Sequence, residues 1–277
     1  MIDKIFEEIS ENIWHRIKDS ELCGIRQGEE TITDHILLEL FRKQTPNIQI
    51  IQTPKIQEKN QGTDWEWWIG SHQHGWLRYA VQAKKLKSGK NYYGSLNHLV
   101  GQKGPKPRQI DVLKRYSKKN KAIPLYCFYN HVNNLKLEKF WNCELDYEKL
   151  QFGWTYTPLE IVELALNKKG RRNFQYIHFQ KKTLPMRCLV KCPNILRVYH
   201  SANALRPYDF EDLEYLQRGY HRSLPSIFGA AIETGKIVEF PPDLYNPETN
   251  LYPKRIGIIN NDEEITAANS NSQCGGD

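Results

Sequence analysis

Two short runs joined by a turn carry the residues best suited to chemistry in this chain. The first, Asp64-Trp-Glu66-Trp-Trp-Ile, follows Gly62-Thr. The second, Trp76-Leu-Arg-Tyr-Ala-Val-Gln82-Ala83-Lys84-Lys85-Leu, follows residues 71–74, which lie between Gly70 and Gly75. Both runs are rich in aromatic and branched residues, so they read as the two strands of a hairpin. Side chains on a strand alternate faces, which puts Asp64 and Glu66 on one face of the first strand and Gln82 and Lys84 on one face of the second. Pairing the strands gathers two carboxylates, an amide and an ammonium, a set suited to holding a divalent metal beside a phosphodiester. Mg²⁺ takes hard oxygen ligands, usually one or two protein carboxylates completed by water and phosphate; Mn²⁺ would suit the same oxygens. Asp64 is the first ligand expected, with Glu66, the Gln82 amide oxygen and the Ala83 carbonyl as the others. A metal held there lowers the pKa of a bound water and neutralises phosphate charge. Lys84 would then stand beside the scissile phosphate, orienting the attacking water and stabilising transition-state charge. The bland alternative is a salt-bridged hairpin with a solvated charged face, an arrangement that contributes little stability.

The elements needed to position these residues are legible around them. Ile2, Ile5, Phe6, Ile9, Ile13 and Ile17 recur at a helical period over residues 1–18. A second helix is expected from about Thr31 to Lys43, with Ile32, Ile36, Leu37, Leu40 and Phe41 on its buried side. Residues 47–53 read as a strand stopped by Pro54, residues 109–118 as a helix opened by Pro107, and residues 122–129 as a buried strand. With the hairpin, the order is helix, three strands, helix, strand.

That order, with those residues at those places, resembles the PD-(D/E)XK, or restriction-endonuclease-like, nuclease superfamily. Its αβββαβ core carries an acidic residue at the start of the second strand and (D/E)-x-Lys or Gln-x-Lys on the third. Asp64 matches the first motif, and Gly62 stands where many members have a Gly-x-x-Asp turn, here one residue shorter. Gln82-Ala-Lys84 is similar to the Gln-x-Lys variant of Mrr-type enzymes. Gln109-Ile-Asp-Val-Leu113 is similar to the Gln-x-x-x-Tyr helix motif of RecB-type nucleases, with Leu at the last position. Glu-Glu-Thr-Ile-Thr-Asp (29–34), Asp-Trp-Glu-Trp-Trp and Gln-Ala-Lys-Lys-Leu resemble an uncharacterised bacterial branch of the superfamily. The resemblance implies an α/β fold with a mixed central sheet flanked by helices, Mg²⁺ or Mn²⁺ as cofactor, and one more acid from the first core helix. Glu30 is the choice for that acid, with Glu29, Asp34 and Glu39 as alternatives. It also implies hydrolysis of nucleic acid, DNA before RNA, in bacterial defence. The departure at Gln82 leaves the metal one charge short, which Glu66 would restore. That same departure favours the rival reading, a nuclease-like module that binds nucleic acid or a protein without cutting. A structural subunit of a larger complex is the third reading.

Charge is distributed unevenly. The chain is +7 overall, yet residues 81–121 contain twelve Lys or Arg and a single acid, Asp111, so that segment is +11 and the remainder −4. Lys85, Lys87, Lys90, Lys103, Lys106, Arg108, Lys114 and Arg115 are the expected phosphate contacts, displacing counterions from a nucleic-acid backbone. Gly and Pro in the loop from Lys87 to Arg108 suggest that it is mobile before binding. The 277 residues suffice for one large or two small domains. The expected division is an N-terminal helix (1–24) packed on a nuclease-like core (25–150), a C-terminal α+β extension (151–259) and a disordered tail (260–277). No run approaches the apolar length of a membrane span, and six Cys without framework spacing suit reduced thiols in the cytoplasm. A homodimer or a regulatory partner protein is compatible with this reading.

Past residue 129 the expectations are coarser. Thr157-Pro-Leu-Glu160 reads as a capping box, residues 174–179 and 187–190 as strands, and 209–219 as a short helix. His178, Cys188, Cys192 and His200 could bind zinc, but their spacing is not diagnostic and ordinary packing is the preferred account.

Overall fold

Isoleucines at helical spacing dictate the first element. In the computed structural model, helix α1 (Ile2–Leu22) buries Ile2, Ile5, Phe6, Ile9, Ile13 and Ile17 along one stripe. The structure describes residues 2–52, 62–87, 89–101, 106–191, 217–228, 238–239 and 253–260. Helix α2 (Glu29–Arg42) buries Ile32, Ile36, Leu37 and Leu40, while Phe41 stays exposed. Strands β1 (Ile48–Gln52), β2 (Trp65–Ser71) and β3 (Gly75–Lys85), helix α3 (Gln109–Asn120) and strand β4 (Ile123–Tyr129) follow. The order of helix, three strands, helix, strand expected from the sequence is therefore the order observed.

The second half of the chain adds β5 (Trp154–Pro158), α4 (Leu159–Leu166), α5 (Phe174–His178), β6 (Leu184–Pro185), α6 (Cys188–Lys191), β7 (Tyr220–His221), β8 (Val238–Glu239) and β9 (Arg255–Asn260). These strands extend one mixed sheet in the order β6-β5-β4-β3-β2-β9-β1-β8, with β7 pairing the start of β3. β2 and β3 are antiparallel, β3 and β4 parallel, and β4 and β5 antiparallel. β9 inserts between β1 and β2, antiparallel to the first and parallel to the second. Gly257 permits that insertion, because a Cβ there would lie 1.9 Å from the Trp67 ring.

Two apolar layers sandwich the sheet. Trp65, Trp67, Val81, Ala83, Leu125 and Cys127 pack with the stripes of α1 and α2. On the opposite face, Ala80, Tyr126 and Phe128 pack with Ile110 and Leu113 of α3 and Val162 of α4. β2 is buried on both faces over its whole length, Glu66 included. Among the described residues, no helix is long and apolar enough to cross a membrane.

Several local expectations are corrected. Residues 174–178 form a helix, because the Asn173 side chain accepts the Tyr176 backbone N–H (2.8 Å) and starts it, and the Phe174 ring stacks on His178 at 3.9 Å. Residues 188–191 are likewise helical rather than extended. Thr157 caps no helix: it lies in β5 and its hydroxyl bonds that of Thr183 at 2.8 Å, leaving Pro158 as the cap position of α4. Where it is described, the loop after β3 is anchored on the core. Tyr93 and Leu96 are buried in the core, the Tyr93 hydroxyl donates to Asn130 Oδ1 (2.7 Å), and Leu99 bridges Arg108. His178 and Cys188 are packed in the interior, while Cys192, His200, most of the 209–219 helix and the tail beyond 260 lie outside the described residues.

Candidate functional site

Gly62 sets the approach to the site. Its φ is +64°, and a Cβ there would come within 2.8 Å of the Leu113 backbone nitrogen, so only glycine lets the chain pass α3 and enter β2. The Thr63 hydroxyl then bonds the Trp65 and Val81 carbonyls, and the Asp64 N–H donates to the Val81 carbonyl at 2.8 Å. These bonds hold Asp64 against Gln82 and Ala83 on β3. Asp64 Oδ2 accepts the Gln82 side-chain N–H at 2.5 Å and the Ala83 backbone N–H at 2.7 Å. Two residues along the same face of β3 stands Lys84, buried, with its Nζ 3.5 Å from Glu29 Oε2. The other Glu29 oxygen accepts the Lys85 backbone N–H (3.0 Å) and the Ser95 hydroxyl (2.7 Å). Asp64, Gln82, Ala83, Lys84 and Glu29 thus meet at the C-terminal end of β3, beside the N-terminus of α2.

Burial dominates the electrostatics. It pushes the Asp64 carboxyl up to about 6, against the pull of the Lys84 ammonium, the Ala83 N–H and the Arg255 charge, and with Glu29 adding repulsion. Burial also lowers the Lys85 ammonium, opposed by Glu29 and Glu21. Gln82 Oε1 is buried without a partner among the described residues, as are Gln109 Oε1, Gln27 Oε1 and the Tyr126 hydroxyl. Tyr126 is the cross-strand neighbour of Gln82 on the same face. Orphaned buried oxygens are costly, and the one on Gln82 belongs to the side chain that bonds Asp64. Among the described residues, no group of three or more His, Cys, Asp or Glu is arranged for a metal. A hard cation such as Mg²⁺ needs only one or two protein carboxylates. The oxygens of Asp64 and Glu29, with Gln82 Oε1 and the Ala83 carbonyl, fit that requirement.

Other expected residues go elsewhere. Glu66 shares the face of Asp64 but is sealed under α3. Its carboxylate accepts Arg78 Nε (2.9 Å), Arg78 Nη2 (2.8 Å) and the Tyr116 hydroxyl (2.8 Å) on one oxygen and Trp68 Nε1 (3.4 Å) on the other. Burial raises its pKa. The residue is a structural ion-pair partner rather than a metal ligand, because the next basic residue along its strand pair captures it. Glu30 is exposed on α2, and Glu29 takes the place expected of it. A helix turns about 100° per residue, so a one-residue shift carries a side chain from the site to solvent. Of the alternatives, Asp34 pairs with Arg255 at 2.5 Å and Glu39 with Arg16 at 3.6 Å. Gln109 opens α3 with its N–H bonded to the His98 carbonyl at 2.8 Å. Lys87, Lys90, Lys106 and Arg115 are exposed. Lys85 Nζ is tied to the Gln27 carbonyl (3.1 Å), Arg108 to Asp111 (2.9 Å) and Lys114 to Glu163 (2.7 Å), which turns part of the basic segment inward on the protein itself. Lys103 lies outside the described residues.

Three contributors escaped sequence reasoning. Ser95 orients Glu29 from within the basic loop, Tyr126 stands opposite Gln82 on the neighbouring strand, and Arg255 brings its charge close to Asp64. Arg255 arrives on β9, far along the chain, and no local pattern announces that strand's insertion.

The model of a family of unknown function, DUF6615, matches residues 2–268, and the chain belongs to that family. Among curated proteins and among solved structures nothing matches it.

Proposed function

We propose that this DUF6615 protein is a metal-dependent nuclease, hydrolysing phosphodiester bonds of nucleic acid from a restriction-endonuclease-like core. The observation that carries the reading is the meeting of Asp64, Gln82, Ala83 and Lys84 at one end of the sheet, with Glu29 beside them. Asp64, the Gln82 carboxamide, the Ala83 carbonyl and Glu29 would hold Mg²⁺ or Mn²⁺. When bound, the metal would supply an acidified water and neutralise phosphate charge.

The chain's own residues have distinct tasks. A half-turn of the Gln82 carboxamide exchanges its nitrogen and oxygen. Oε1 would then face Asp64 Oδ2, and two such oxygens rest together only across a cation or a proton. As the side chain stands, the Gln82 and Ala83 N–H groups hold the Asp64 carboxylate in place. Glu29 restrains the Lys84 ammonium and is itself held by Ser95 and the Lys85 N–H. Lys84 would orient the nucleophilic water and stabilise the added negative charge on the phosphate.

The rival is a module that binds without cutting. It draws on Gln82, whose neutral oxygen weakens the metal site, and on the bonds that already satisfy Asp64 Oδ2. One experiment separates the two. Plasmid, duplex and single-stranded oligonucleotides and RNA are incubated with pure protein in Mg²⁺, Mn²⁺ or excess chelator, beside Lys84→Ala. Cleavage by the parent in metal alone, lost in Lys84→Ala, is expected. Cleavage that persists in chelator, or equally in Lys84→Ala, would refute the mechanism; binding without cleavage under every condition would establish the rival.

A further inference from the structure

We infer that a second basic loop, residues 168–172, lies beside the loop after β3 and forms with it one phosphate-binding surface leading away from Lys84. The inference rests on the nucleic-acid reading above but not on cleavage. Lys168-Lys-Gly-Arg-Arg172 belongs to the second half of the chain, and between residues 164 and 182 there are six basic residues and no acid. Residues 86–107 are likewise free of acids.

Backbone bonds stitch the two loops together. The Tyr93 N–H donates to the Arg172 carbonyl (2.9 Å), the Phe174 N–H donates to the Asn91 carbonyl (2.9 Å), and Tyr92 bridges Asn173. The Arg172 guanidinium lies over the Tyr92 ring, 5.3 Å from its centroid. The Lys87 N–H donates to the Tyr92 carbonyl at 2.9 Å, which ties the surface to the end of β3, three residues past Lys84. Lys87, Lys90, Lys168 and Lys169 are all exposed. Like charges brought together by main-chain bonds repel one another, and no carboxylate within either stretch offsets them. A polyanion would relieve that repulsion and release its counterions. A phosphodiester backbone is the occupant this surface fits, because the cations trail outward from the residue assigned to the scissile phosphate.

The test measures binding separately from cutting. A fluorescent DNA duplex and the matching single strand are titrated, in chelator and across a KCl series, with the full chain. The same titrations are made with Lys168→Gln/Lys169→Gln, with Lys87→Gln/Lys90→Gln, and with Lys118→Gln/Lys119→Gln as the control. That control pair is exposed at the far end of α3. If both lysines of a pair touch phosphates, the slope of log K against log salt should shrink by about 1.8 for duplex and about 1.4 for single strands, and the control should leave it unchanged. A 168/169 pair that behaves like the control, or a parent that binds neither DNA, would overturn the inference. A parent that binds with the expected slope changes yet never cleaves in metal would sink the nuclease reading and leave this surface standing.

Discussion

Replacing Asp64 with Asn should uncouple the stability of this protein from pH in a defined window. Burial moves the Asp64 carboxyl from its usual 3.8 to about 6 in the fold. A carboxyl whose folded pKa is raised stabilises the fold while protonated. That contribution is fully present below the unfolded value and is lost as pH rises through the folded one. The upward displacement of roughly two units amounts to about 3 kcal/mol against the wild type above pH 6. Asn keeps an acceptor for the Gln82 and Ala83 N–H groups but cannot ionise. The stability gap between Asp64→Asn and wild type should therefore be constant below about pH 4, open between pH 4 and 6, and plateau about 3 kcal/mol wider. In a chain of this size that is a relative Tm gain of roughly 6–12 °C. Urea or thermal unfolding in chelator from pH 4 to 8 measures the gap, and its change with pH carries the argument, since any fixed packing cost of Asn cancels. A gap that does not vary with pH would refute the elevated carboxyl of the partly buried Asp64. Mg²⁺ added above pH 6 should raise the wild-type Tm and leave Asp64→Asn unmoved.

Two further outcomes follow from the geometry. Glu29→Gln should lower cleavage at least about 10²-fold, since it loosens Lys84 and removes a charged metal ligand, and small misplacements at a reacting centre alone cost that much, whereas Glu30→Gln should match wild type in the same plasmid assay. Arg78→Met should destabilise the fold by about 3–5 kcal/mol in urea unfolding, because it strands the buried Glu66 charge. Adding Glu66→Met should recover most of that loss, and a double variant no more stable than the single one would contradict the assignment of Glu66 to structure.

Much of the site was legible because its residues lie close in sequence. Asp64, Gln82 and Lys84 belong to one hairpin, and the period of a strand determines which side chains share a face before any packing is known. The helical stripes of α1 and α2 were equally plain; in α1, five isoleucines and one phenylalanine at one period leave few alternatives. Glu66 shows where that local logic stops. Its face was foreseen, yet whether a carboxylate points at a metal or at an arginine depends on what covers it. Here Arg78, twelve residues on, and Tyr116 of α3 close over it.

The sequence by itself determined the element order up to residue 129, the hairpin and the gathering of an acid, an amide and a lysine at its open end, because each follows from periodicity over fewer than about twenty-five residues. Tertiary structure decided the rest. It chose Glu29 over Glu30 through the rotation of α2, brought Arg255 to Asp64 by inserting β9 between β1 and β2, and laid the loop at 168–172 beside the loop after β3. Those outcomes depend on strand pairings and helix rotations between segments far apart in the chain. A one-residue change in register or rotation sends a side chain to another face, and no local propensity distinguishes the alternatives.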